Sequence, residues 1–78
     1  MAVVSRKVLL ARLAKVTERL ATVEGERDRA VAAAMAGGCS WAEIGTGLGM
    51  SAQGAHRRFR DVRVDEDGFV WREPRLPL

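Results

Sequence analysis

Two reactive residue types are almost missing from this sequence of 78 residues, which holds one cysteine, Cys39, and one histidine, His56. A lone cysteine excludes any disulfide within the chain. One Cys and one His cannot supply the four ligands of a closed structural zinc site either. No apolar run approaches the ~20 residues of a membrane span, and residues 1–14 have arginine and lysine interleaved through them. Neither a transmembrane segment nor a signal peptide is therefore expected, and the unpaired thiol fits a reducing cytoplasm. Catalytic groupings are scarce as well. No carboxylate pair has a spacing that asks for acid–base work, and Cys39 beside Ser40 has no His and acid placed to make a triad. Gly47-Leu48-Gly49-Met50-Ser51-Ala52 matches a dinucleotide-binding glycine pattern, but a helix precedes it where that pattern needs a strand. The expectation is a protein that is not an enzyme and uses no metal or cofactor. A domain this small buries a thin core, and with disulfide and zinc gone, self-association is the remaining support.

What is present is unevenly charged. Thirteen basic and ten acidic side chains leave a net +3. Residues 1–23 carry +4 and residues 51–64 carry +3, whereas residues 24–50 and 65–78 carry −2 each. Positive charge on two separate elements is how a surface facing a polyanion is built.

Residues 5–23 hold neither Gly nor Pro and are rich in helix formers. Leu9, Leu13, Val16, Leu20 and Val23 recur at spacings of four and three, a heptad seam that ends near Gly25. This seam is expected to be a dimer interface. A second helix is expected from about Glu26 to Met35, continuous with the first if Gly25 is tolerated, and Gly37-Gly38 ends it. Ser40-Trp41-Ala42-Glu43 has the form of a capping box. It opens a third helix running to about Leu48, with Trp41 expected in the core and Cys39 buried or half-buried in the turn before it. Gly49 supplies a left-handed turn, and Ser51 caps a fourth helix to about Val62. Then the period changes to two. Residues 62–64 and 69–71 read as strands around Asp65-Glu66-Asp67-Gly68. Pairing Val64 with Phe69 and Val62 with Trp71 would put all four on one face, packed on the helices or a second subunit. The end is expected to be extended, with Leu76 and Leu78 docking it.

Residues 40–60 carry the functional argument. Two short helices are joined by a turn at Gly49-Met50-Ser51. Ile44, Leu48, Met50, Ala55 and Phe59 face inward, and Gly45 sits where the helices approach. That arrangement is a helix-turn-helix. The stretch from Gly38-Cys39-Ser40-Trp41 through Leu48-Gly49-Met50-Ser51 to His56-Arg57-Arg58-Phe59 resembles small bacterial helix-turn-helix DNA-binding proteins. It is similar to the region 4 type of sigma factors and to short actinobacterial-type regulators. The chain departs from that pattern with Gly45 in place of the usual alanine and with Gly54 inside the recognition helix, where glycine costs about 1 kcal/mol.

The resemblance implies a recognition helix in the major groove. It places Ser51, Ala52, Gln53, His56 and Arg57 at base edges, where Gln53 suits adenine and Arg57 suits guanine. Ser40, Arg58, Arg60 and Arg63 are placed at phosphates. The hairpin invites comparison with a winged helix, but Asp65, Glu66 and Asp67 at its tip would be repelled by phosphate.

The resulting expectation is a mostly α protein: a helix-turn-helix bundle with a long N-terminal dimerisation helix and a small wing-like C-terminal β-hairpin. Residues 1–25 form the coiled-coil-like helix, 26–62 the DNA-binding domain and 63–78 the hairpin and tail. It is expected to be a homodimeric transcriptional regulator of duplex DNA on the nucleoid, with RNA polymerase or another protein as a further partner. Two alternatives stay open. One is an architectural or mobile-element accessory protein of the excision or partition type. The other is a coiled-coil adaptor whose helix-turn-helix does not bind DNA.

Overall fold

A 31-residue helix sets the long dimension of the molecule. In the computed structural model, which describes residues 5–74, α1 runs without a break over Arg6–Ala36. At 1.5 Å per residue such a helix is about 46 Å long, against overall extents of 54 × 29 × 26 Å. Ser5 caps it by accepting the Val8 amide. Gly25 lies inside α1, so the two expected helices are one. α1 ends where Gly38 takes a φ of +84° and the amides of Gly37, Gly38 and Cys39 donate back to the carbonyls of Ala33, Met35 and Ala34. Those bonds satisfy the last-turn carbonyls, as a glycine-ended helix requires.

Two eight-residue helices follow, α2 at Trp41–Leu48 and α3 at Ala52–Phe59. The capping box of α2 is complete. Ser40 Oγ accepts the Glu43 amide at 3.1 Å, and Glu43 Oε1 accepts the Ser40 amide at 2.9 Å. Gly49, at φ +70°, turns the chain in the left-handed region. Ser51 Oγ accepts the Gly54 amide at 3.0 Å and starts α3. α3 stops at Phe59, three residues short of the expected end. The chain there turns through Arg60 and Asp61 into β1, Val62–Val64, which pairs antiparallel with β2, Val70–Arg72.

The hairpin register differs from the expected one by a residue. Val62 pairs with Arg72, Arg63 with Trp71 and Val64 with Val70. The loop explains the shift. The Gly68 amide donates to Asp65 O, Asp65 Oδ1 accepts the amides of Asp67 and Phe69, and the Asp65 amide donates to Phe69 O. With Gly68 at φ +84°, this is a three-residue loop with a glycine bulge, and the extra residue slides one strand by one position. A slip of one exchanges the faces. Val62 is buried and Val70 packs on the core, while Phe69 is 70% and Trp71 45% exposed. The four-residue apolar face expected from Val62, Val64, Phe69 and Trp71 is therefore not formed.

The core is small, as the length demanded. Val31, Ile44, Phe59 and Val62 are buried together, with Met35, Trp41, Leu48, Met50 and Val70 packed around them. Ala55 is fully buried. Cys39 is exposed, not buried as expected, because it lies in the linker between the α1 end cap and Ser40. Leu76 and Leu78 lie outside the described residues. Among the described residues no helix is long and apolar enough to cross a membrane.

Candidate nucleic-acid interface

Three local devices position α3. The first is the left-handed Gly49, which reverses the chain in one residue. The second is close approach at Gly45: a Cβ there would lie 2.7 Å from Met50 O and 3.0 Å from Ser51 O. The sequence suggested that Gly45 lets the two helices approach. What it admits is the backbone of the turn itself. The third is the inner face of α3, where Ala55 and Phe59 are buried and Phe59 packs with Val31, Ile44 and Val62.

Phe59 sits at the centre of a cation cluster. The guanidinium carbons of Arg27, Arg58 and Arg72 lie 4.9, 5.4 and 5.6 Å from its ring centroid. Each draws on the negative face of the ring, and the three come from α1, α3 and β2. Two are also paired with carboxylates. Arg27 bonds Asp28 at 3.1 Å, and Arg72 bonds Asp61 at 2.9 Å and donates to the Arg58 carbonyl. Arg72 thereby fastens the hairpin to the end of α3. Sequence reasoning missed this role, because the expected register turned Arg72 outward.

Fixing the buried face of α3 fixes its opposite face. Ser51, Ala52, Gln53, His56 and Arg57, the residues expected at base edges, are all exposed on or next to α3. The His56 ring meets Trp41 edge-on at 5.2 Å between centroids, so Trp41 is half-buried at the α2–α3 junction rather than enclosed. This ring pair ties the start of α2 to the outward side of α3, and no spacing in the sequence announces it.

The residues expected at phosphates separate into two sets. Ser40, Arg58 and Arg60 are exposed. Ser40 and Ser51 both accept backbone amides as caps, which leaves each hydroxyl proton available to a phosphate or base acceptor. Arg63 is half-buried and engaged within the chain. It donates to the carbonyls of Arg60 and Val62 and to Glu73, each at 2.8 Å. Glu43 has a shifted pKa. The Ser40 backbone amide, and then the Ser40 side chain, hold its carboxyl below the ordinary value of 4.5. Among the described residues no cluster of three His, Cys, Asp or Glu could hold a metal ion.

A family model described as ECF sigma factor matches residues 3–67, which include all three helices and β1. The chain belongs to the ECF sigma factor family. The matched part is a sigma region 4-like helix-turn-helix, in agreement with the sequence resemblance. Membership links the chain to DNA binding and transcription, and the family's region 4 domains bind both DNA and RNA polymerase. No curated protein and no solved structure matches the chain.

Proposed function

We propose that this chain is a dimeric, sequence-specific regulator of transcription that places α3 in the major groove of duplex DNA. The observation that carries the reading is the outward face of α3. Gln53, His56 and Arg57 are exposed there, while Ala55 and Phe59 anchor the opposite face. Gln53 can hydrogen-bond adenine N6 and N7, and Arg57 can hydrogen-bond guanine O6 and N7. Ser51 and Ala52 lie at the leading end of α3, nearest the bases. Ser40, Arg58 and Arg60 fix the register on the phosphates. Arg63 joins them only by letting go of Glu73. The acidic loop at residues 65–67 keeps the hairpin tip away from DNA. The heptad stripe of α1 joins two copies, so that the site is two-fold, with half-sites one helical turn or a multiple apart.

The test is selection of bound duplexes from a randomised pool at near-physiological salt, with the wild type, Gln53→Ala and Arg57→Ala. An enriched inverted repeat is expected. Each substitution should cost about 1–3 kcal/mol and relax preference at one base position. Enriched direct or tandem repeats would favour an architectural role. Binding without enrichment would leave a phosphate-only contact. A chain that retains no DNA is the outcome that would replace this reading with a protein adaptor.

A further inference from the structure

Gln53, His56 and Arg57 stand at i, i+3 and i+4 along α3, which puts their side chains on one face. They are not held alike. Among the described residues the Gln53 side chain makes no hydrogen bond or ring contact, whereas the His56 ring meets Trp41 of α2, with centroids 5.2 Å apart and planes at 78°. Rings in that arrangement attract through the edge of one and the face of the other. An exposed imidazole otherwise samples several rotamers, so the contact holds the ring in one orientation before any ligand arrives. Neither ring nitrogen of His56 has a hydrogen-bond partner among the described residues.

Trp41 is rooted where it can act as a support. It is the first residue of α2, directly after the Ser40 cap, and it is half-buried against the cluster of Val31, Ile44, Phe59 and Val62. Core packing alone asks only for an apolar residue at this position. A long rigid ring does more, because it can be anchored in the core and still reach a side chain at the surface.

We propose that Trp41 is a positioning residue for DNA recognition, holding the His56 imidazole so that its N–H donates to an acceptor on a base edge. This rests on the reading of α3 as the recognition helix. The acceptors that the major groove presents are N7 and O6 of guanine, N7 of adenine and O4 of thymine. Because His56 is already ordered, binding loses little side-chain entropy there, whereas Gln53 has to be ordered on the DNA.

The experiment is selection of bound duplexes followed by titration of the selected site. It compares the wild type, His56→Ala, Trp41→Leu, Trp41→Phe and the double variant Trp41→Leu/His56→Ala, with far-UV circular dichroism to check folding. His56→Ala should relax preference at one base position and weaken binding about fivefold. Trp41→Leu should relax the same position and weaken binding about threefold. Trp41→Phe keeps an aromatic ring without the indole N–H and should bind like the wild type. The double variant should bind no more weakly than His56→Ala. A leucine variant that weakens all sequences equally, or whose loss adds to that of His56→Ala, overturns the proposal in favour of a structural Trp41. A phenylalanine variant as weak as the leucine one overturns it by making the indole N–H the contact. A wild type that selects no sequence overturns the recognition reading and this proposal together. A wild type that selects a sequence which His56→Ala leaves unaltered overturns the proposal alone. A second measurement does not depend on the leucine variant folding. Trp71→Phe leaves Trp41 as the only indole, and in that background His56→Ala should brighten its emission, because an adjacent imidazole quenches indole. Unchanged emission would overturn the proposal.

Discussion

Alanine at position 45 should destabilise the helix-turn-helix although it is the better helix former. Gly→Ala inside a helix gains about 1 kcal/mol. Against this, the new Cβ of Gly45→Ala would sit 2.7 Å from Met50 O, 3.0 Å from Ser51 O and 3.1 Å from Ser51 C. Ordinary van der Waals contact begins at 3.4 Å, so the Met50 carbonyl must retreat by about 0.7 Å. It is poorly placed to do so. The Met50 amide is bound to Gly45 O at 2.8 Å, and Ser51 O accepts the Ala55 amide at 2.9 Å. Overpacking against atoms that cannot yield costs about 3 kcal/mol, the upper part of its usual range. The net loss is about 2 kcal/mol, which in a domain of this size lowers Tm by about 10 °C. Gly47→Ala is the control. It lies two residues along the same helix with nothing within 4 Å of its Cβ, so it should gain up to about 1 kcal/mol and raise Tm by about 5 °C. Thermal melts by far-UV circular dichroism at one fixed protein concentration measure both. A Gly45→Ala protein melting at or above the wild type would refute the reasoning. It would show that the turn moves outward freely, as similar proteins carrying alanine at this position require.

The hairpin register and the capping box make two further predictions. Val62→Ala should cost about 2 kcal/mol, because Val62 is 1% exposed in the core, whereas Trp71→Ala should cost under about 1 kcal/mol. Urea unfolding of the two variants decides between registers, since the alternative pairing would make the Trp71 substitution the more damaging. For Glu43, the folded-state pKa lies below the ordinary 4.5, with the Ser40 backbone amide as the main cause. Its contribution is therefore complete above that value and lost as pH falls through the lower, folded pKa. The stability difference between wild type and Glu43→Gln should stay constant above about pH 6 and shrink below pH 4.5. A difference that grows on acidification would contradict this.

How far the sequence could be read follows from how local each rule is. Ser5, Ser40 and Ser51 cap helices with their own side chains, and Glu43 completes its box three residues away. Gly38, Gly49 and Gly68 adopt the left-handed backbone that only a missing Cβ makes easy. These signals act within a few residues, so the starts of α2 and α3, the turn at residues 49–51 and the presence of a hairpin were all legible. The inward set of Ile44, Ala55 and Phe59 followed from helical periodicity. The outward set of Gln53, His56 and Arg57 followed by exclusion.

Tertiary structure decided the rest. Whether Gly25 interrupts α1 depends on a cost of about 1 kcal/mol spread over a 31-residue helix, too little to break it. The end of α3 depends on Phe59 reaching the core and on Arg72 returning from β2 to its last turn, a contact 14 residues away in the chain. The hairpin register turned on a single bulge at Gly68, and with it which of Val70, Phe69 and Trp71 the core received. The Trp41–His56 contact and the Arg63–Glu73 ion pair join residues that no periodicity relates. By itself the sequence determined where α2 and α3 begin and which face of α3 is outward, because caps and periodicity act over one or two turns. Only the folded chain decided that Arg63 meets Glu73, Arg72 meets Asp61 and Trp41 meets His56, because each contact joins side chains from separate elements.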